Sequence, residues 1–294
     1  PGSGLFGHLV ANGGSALAAR GLDVYAGGVF VQAGDIPVNY IAKWNGSSWS
    51  ALGSGVNNVV SALAVKGREV FVGGGFWNAG GQESFYIARW VEPLAVNSPN
   101  GGESWEAGSS HAITWTAEAS VGAVKIEYST NNGSTWTTLT ASTPNTGNWS
   151  WTVPNTPSAS CRVRISEAAD GDPAAASDGA FIIAGFQVTS PSSVDKWTVG
   201  TPRTIAWNTV GSYPTVRLDL STDNGTTWET ITSSTANTGS YVWTVAGAIS
   251  TQAVIRVADS TDGFPFDDSV LFSIIPVLVI TVTAPNGGET WEAG

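Results

Sequence analysis

The carboxylates of this chain have the types and spacing to do chemistry. Glu167, Asp170, Asp172 and Asp178 crowd one stretch, and Asp259, Asp262, Asp267 and Asp268 crowd another. Glu167 aligns with Asp259, and Asp170 with Asp262, at an offset of 92 residues. Carboxylates gathered on turns suit Ca²⁺, which takes about six to eight oxygen ligands. The spacing is not that of an EF-hand, and solvated acidic loops are the commoner case. Asp170, Asp172, Asp259 and Asp262 are the candidate metal ligands, and calcium is the one candidate cofactor.

Aromatic side chains are the second resource. Trp and Tyr faces stack on sugar rings, and the chain has 14 Trp. Most of them recur at repeat positions, which implies a packing role in each copy; Trp115/Trp207 and Trp151/Trp243 are expected in cores. Trp49, Trp77 and Trp149 are less constrained. Trp77 replaces a small turn residue beside Phe76, and Trp77 and Trp149 are the candidate residues of a polysaccharide-binding face.

Catalytic constellations are missing. The histidines are His8 and His111, and no G-x-S-x-G elbow, P-loop or G-x-G-x-x-G unit accompanies them. The single cysteine, Cys161, excludes an intrachain disulfide and a cysteine metal cage, and its alternating strand predicts a small buried residue. Four N-x-(S/T) sequons, at Asn45, Asn132, Asn148 and Asn224, are explained in three cases by Asn-Gly turns.

Composition bounds the class. Charged residues make up 12% and the net charge is −11, with 36 Gly and no Met. Low charge with abundant Gly, Ser, Thr and aromatics is the composition of short strands and tight turns. The acidic balance repels phosphate, so nucleic acid and anionic membranes are poor partners. No apolar run is long enough to span a membrane as a helix. The missing Met fits a mature or excised fragment, and a secretory leader would have been removed or would lie outside it.

The positioning elements are written as repeats. At an offset of 46, Val24-Tyr25-Ala26-Gly27-Gly28-Val29-Phe30 meets Val70-Phe71-Val72-Gly73-Gly74-Gly75-Phe76, and Ile41-Ala42-Lys43-Trp44 meets Ile87-Ala88-Arg89-Trp90. Each copy reads as four short strands, with Asn45-Gly46 a hairpin signal. This pattern, VYxGGxF…IAxWNG, resembles the propeller-like repeats of bacterial secreted proteins. The resemblance implies β-propeller-type blades, here incomplete because propellers close with about four to eight. Open blade edges imply self-association.

At an offset of 92, Ile113-Thr114-Trp115 meets Ile205-Ala206-Trp207, and Asn145-Thr146-Gly147 meets Asn237-Thr238-Gly239. Val124, Ile126 and Tyr128 alternate with Lys125 and Glu127. About seven such segments per copy predict tandem β-sandwiches of Ig or fibronectin type. Pro99-Asn100-Gly101-Gly102-Glu103-Ser104-Trp105 returns as Pro285-Asn286-Gly287-Gly288-Glu289-Thr290-Trp291. This motif resembles the Ig-like modules of bacterial surface and secreted proteins, distantly related to the Ser/Thr-rich cell-wall family with fungal Kre9-like domains. Ser221-Thr222-Asp223-Asn224-Gly225-Thr226-Thr227-Trp228 fits the Asp-box pattern S-x-D-x-G-x-x-W of sialidase-like propellers and is read as a hairpin staple, with Asn131 in the Asp position of the other copy.

The expected organisation is all-β: two four-stranded propeller-type repeats over 1–92, Ig-like sandwiches over 93–184 and 185–277, and the first strand of a third over 278–294. The expected function is a non-catalytic extracellular structural, adhesion or assembly segment of a bacterial surface or secreted protein. The alternatives are an accessory carbohydrate-binding region of a polysaccharide-degrading enzyme and a self-assembling filament subunit. Expected partners are the cell surface, other copies through open β edges, or polysaccharide.

Overall fold

The computed structural model describes residues 14–46 and 48–278, with isolated positions from 281 to 292. The first strand of a third repeat, expected over 278–294, lies largely outside the described residues. Every regular element among them is a β-strand, and no sheet closes into a barrel. The chain divides into two compact units, 1–184 and 185–294.

The first unit opens with an antiparallel meander of Gly14–Arg20, Asp23–Gly28, Ile41–Trp44 and Trp49–Ala51. Arg20 pairs with Asp23 across Gly21-Leu22, and Gly21 takes the left-handed φ of 58° that a two-residue hairpin favours. The Asn45-Gly46 signal does mark a hairpin, but a wider one. Trp44 pairs with Trp49, and Asn45 Oδ1 accepts the Ser48 N–H at 2.8 Å.

A second sheet holds Val60–Lys66, Glu69–Gly74 and Ile87–Val91. The 46-residue repeat persists in the backbone: the N–H of Gly28 donates to Tyr40 O and that of Gly74 to Tyr86 O, and both tyrosines hold left-handed φ, 62° and 68°.

The second copy has three strands, not the expected four. Where the first copy turns after Asn45-Gly46, the second has Val91-Glu92-Pro93 in sequence, with no glycine to reverse the chain. The segment matching Trp49–Ala51 therefore falls within Leu94–Ser98, which pairs with Ser110–Ala117 as the first strand of a sandwich.

The two small sheets share one core. Tyr25, Ile41, Leu52 and Val56 pack with Val60, Val70, Val72, Phe76 and Ala79. At Gly27 the approach is so close that a Cβ would lie 2.3 Å from Val60 Cγ1. Glu92 reaches back over this join. Its carboxylate accepts from Tyr25 Oη at 2.9 Å and Lys43 Nζ at 3.0 Å, while Lys43 lies 3.1 Å from Asp23. All four side chains are buried. Burial pushes the Asp23 carboxyl above its ordinary value against the pull of Lys43, and burial likewise raises the Tyr25 hydroxyl.

The sandwich of the first unit sets Leu94–Ser98, Ser110–Ala117 and Asn148–Thr152 in one sheet. The facing sheet runs Thr137–Thr143, Val124–Ser129, Ser158–Glu167, then the start of Phe181–Ser190, with Ser104–Glu106 parallel to that last strand. Val124, Ile126 and Tyr128 point inward, as their alternation requires, to meet Trp105, Trp115, Trp151 and Phe181.

The second unit repeats this arrangement. Phe181–Ser190 gives its later residues to Pro202–Val210, which pairs with Ser240–Thr244. The facing sheet holds Glu229–Ala236, Thr215–Ser221, Ser250–Asp259 and Phe272–Ile275, with Lys196–Thr198 parallel to the last. Cys161 is buried and pairs with Phe181 where Ala253 pairs with Phe272, so a small side chain is what each site takes.

The 92-residue repeat also explains its paired Trp and Asn. Trp115 Nε1 donates to Asn145 Oδ1 at 2.7 Å, and Trp207 Nε1 to Asn237 Oδ1 at 2.7 Å. Each Asn passes the link on, from Asn145 Nδ2 to Val121 O and from Asn237 Nδ2 to Tyr213 O. A buried indole N–H without an acceptor is costly. Asn145→Ala and Asn237→Ala are each expected to lower stability by about 1–3 kcal/mol, read as a fall in denaturation midpoint at unchanged m-value.

Candidate functional site

The acidic residues occupy corresponding turns after Ser158–Glu167 and Ser250–Asp259. Asp170 Oδ1 accepts the Asp172 N–H at 3.0 Å, and Asp262 Oδ1 accepts the Phe264 N–H at 2.9 Å. Asp259 Oδ1 accepts the Thr261 N–H at 3.2 Å, and Glu167 Oε1 the Gly122 N–H at 2.8 Å. Elsewhere, Asp178 pairs with Arg20, Asp268 with Arg256, and Asp267 accepts the Val188 N–H. Among the described residues, no three of His, Cys, Asp and Glu converge to hold a metal. Asp170, Asp259 and Asp262 thus act as turn acceptors and Asp172 supplies an N–H. This donor set does not form a calcium cage, because each loop brings too few carboxylates to one point.

The Asp-box-like hairpins have a complete internal account. Ser221 Oγ accepts the Gly225 N–H and donates to Asp223 Oδ1, each at 2.8 Å. Asp223 then accepts from the Thr227 N–H at 2.8 Å and the Thr227 hydroxyl at 2.7 Å. In the first sandwich Ser129 and Asn131 play the same parts, with Asn131 Oδ1 accepting the Thr135 N–H at 2.9 Å. Asn132 and Asn224 hold left-handed φ, 56° and 57°, which Asn tolerates.

The tryptophan that ends each hairpin carries an arginine. The Arg164 guanidinium lies 4.4 Å from the Trp136 ring centroid and that of Arg256 4.0 Å from Trp228. Arg164 also donates to Glu127 at 2.9 and 2.7 Å, and Lys125 pairs with the same carboxylate. Burial opposes ionisation of Glu127, but hydrogen bonds from Lys125 and Arg164 outweigh it and hold its carboxyl below the usual range. A cleft of about 390 Å³ borders these residues together with Asp23 and Asp170, and its charges already have partners within the protein. His111 stacks on Trp105 with ring centroids 4.5 Å apart and planes 1° from parallel.

The two aromatic candidates part company. Trp149 is half-buried against the first sandwich core, opposite Ile113, and its counterpart Tyr241 packs likewise in the second. Trp149 is thus a packing residue at the edge of the core and forms no open face. Trp77 is 54% exposed. Its carbonyl accepts the Ser84 N–H, which brings it beside Phe85, Tyr86 and Ile87, all exposed. The Phe85 and Tyr86 rings lie 6.5 Å apart. Sequence reasoning missed these three. The signal was present in the difference between copies, since Trp77 and Phe85 stand where the first copy has Val31 and Asn39.

No family model matches the sequence, and no curated protein matches it. Neither the propeller-like nor the Kre9-like resemblance gains support from these comparisons. Among solved structures the chain is similar to the fibronectin(III)-like modules of Clostridium thermocellum CbhA, at 17% identity over 62% of this chain and 94% of that one, TM-score 0.23. It is also similar to Sidekick-1 immunoglobulin domains 1-4, at 9% identity over 63% and 48%, TM-score 0.25. A third is the I9-I11 tandem from titin, at 9% identity over 90% and 94%, TM-score 0.24. At these scores the sandwich assignment rests on the strand pairing itself.

Hydrogen bonds from Thr227, then from Ser221, depress the exposed Asp223 carboxyl from an ordinary 3.8 to about 2. Its contribution is therefore complete above the unfolded value near 3.8 and is lost as pH falls through about 2. In an NMR titration, the Thr227 amide is expected to shift with a midpoint near 2, whereas the Thr135 amide, bonded to the non-ionising Asn131, shows no such step.

Proposed function

We propose that this chain is a non-catalytic structural and assembly segment of an extracellular or bacterial cell-surface protein. In this reading two propeller-type repeat units precede tandem Ig-like sandwiches. The observation that carries it is the use of the side chains. The carboxylates, hydroxyls and tryptophans of reactive or ligand-binding type are engaged in turns, ion pairs and cores that recur from copy to copy. Recurrence in every module is what a packing role demands and what a single active site does not. The acidic loops have a turn-holding role in this reading, with no cation.

One observation favours a second reading, accessory carbohydrate binding: the exposure of the Trp77, Phe85 and Tyr86 side chains on one hairpin. Both readings are tested by incubating the purified chain with insoluble cellulose, chitin and peptidoglycan, with Trp77→Ala alongside. The structural reading expects no retention that depends on Trp77 and no turnover of glycoside, ester or peptide substrates. Retention of the parent chain, lost at least tenfold in a Trp77→Ala protein of unchanged thermal midpoint, would establish the carbohydrate reading in its place.

A further inference from the structure

Three ionisable side chains meet where the two small sheets join. Lys43 comes from Ile41–Trp44 and Asp23 from the adjacent, paired Asp23–Gly28. Glu92 comes from the segment that leads from the second sheet into the sandwich. Their exposures are 7%, 5% and 6%. Lys43 Nζ lies 3.1 Å from Asp23 Oδ2 and 3.0 Å from Glu92 Oε2. The other Glu92 oxygen accepts from Tyr25 Oη at 2.9 Å.

The same register in the second copy holds an ordinary ion pair. Glu69 and Arg89 stand at the positions of Asp23 and Lys43 and pair at 2.5 Å. That face is open: Arg89 is exposed, and Ile87, which matches the fully buried Ile41, is 66% exposed. Arginine stays protonated and cannot serve as a nucleophile, whereas a lysine amine can. The first copy combines a lysine, burial and an added carboxylate on the amine. An ion pair needs none of the three, and burial makes it costly by desolvation.

We propose that Lys43 and Asp23 are joined by an isopeptide bond, from Nζ to Cγ, which the folded chain forms once on itself with Glu92 as the proton acceptor. Burial raises the Asp23 carboxyl above its ordinary value, against the opposing pull of Lys43, and so favours the neutral electrophile. The Lys43 ammonium gives one proton to Glu92. The free amine attacks Asp23 Cγ, and the tetrahedral intermediate loses the carboxyl OH with one amine hydrogen as water. A C–N bond replaces a C–O bond, and nothing is oxidised or reduced. Lys43 and Asp23 end as a neutral amide and Glu92 as a neutral acid, so no charge is left on the three buried side chains. Arg20 Nη2, 3.3 Å from Asp23 Oδ2, is placed to stabilise the negative charge that develops on oxygen in the intermediate. Oδ2 is bonded to the carbon attacked, so the fold already holds nucleophile and electrophile side by side and replaces an encounter by closure within one chain. The product ties two neighbouring strands of a sheet that has little core of its own.

The test is the intact mass of the denatured full chain, followed by a tryptic map. The parent is expected to weigh one water molecule less than its sequence. Trypsin needs a free Lys43 side chain, so residues 21–66 are expected as one peptide, also lighter by one water. Lys43→Arg keeps the charge, cannot close the bond, and is expected at its full sequence mass. Glu92→Gln is expected chiefly at full mass, because proton transfer by a positioned side chain is worth about 10²–10⁴-fold in rate. Circular dichroism checks that both variants keep the strand signal, and the parent's own peptide map decides the bond without them. A parent at its full sequence mass would overturn the proposal. So would a water loss traced to a succinimide at an Asp-Gly step such as Asp170-Gly171 or Asp262-Gly263, with cleavage after Lys43 intact. A Glu92→Gln chain closed as completely as the parent would overturn the role given to Glu92.

Discussion

The first sheet meets the second with no room to spare at Gly27, where the Val60 side chain takes the space a Cβ would need. Much of the first unit follows from this approach. It brings Tyr25 and Ile41 into one core with Val70, Val72 and Phe76, which neither sheet could bury alone. It also buries Lys43, Asp23 and Tyr25, and the Glu92 carboxylate accepts from both Tyr25 and Lys43 there. Glu92 reaches that place because the second copy does not turn back as the first does. The same departure from the repeat sends Leu94–Ser98 into the sandwich.

The sandwiches meet a related demand by other means. Trp115 and Trp207, buried in the two cores, must each place an indole N–H, and the Asn of the Asn-Thr-Gly segment accepts it. Each exposed hairpin ends in a tryptophan whose face is closed by an arginine from a neighbouring strand. The short polar residues that looked like candidate chemistry satisfy backbone donors in turns. Low charge and abundant Ser, Thr and Asn are therefore a consequence of how many tight turns the modules contain.

Much of this was legible in the sequence. Both repeat periods were, and so was the inward face of Val124, Ile126 and Tyr128, because period-two alternation is a direct image of a half-buried strand. The structural reading of the hairpin around Asp223 followed from its Ser, Asp and Gly spacing. Other features were hidden. The missing fourth strand turned on three residues, Val91-Glu92-Pro93, whose effect is tertiary. The acidic loops looked like a ligand set because sequence shows proximity along the chain and not the direction of each oxygen. Trp149 looked free because its counterpart is Tyr241 and not another Trp. The open face was least visible of all: Ile41 and Ile87 have the same local pattern, and only the neighbouring sheet makes one buried and the other exposed.

The account stands on that asymmetry, and one paired measurement addresses it directly: the unfolding free energies of Gly27→Ala and Gly73→Ala against the parent chain. If the first copy's face is covered and the second's is open, Gly27→Ala loses about 1–3 kcal/mol to overpacking against Val60, while Gly73→Ala is neutral or slightly stabilising because a strand glycine is costly in itself. Equal effects at the two sites, or a larger loss at Gly73, would contradict it.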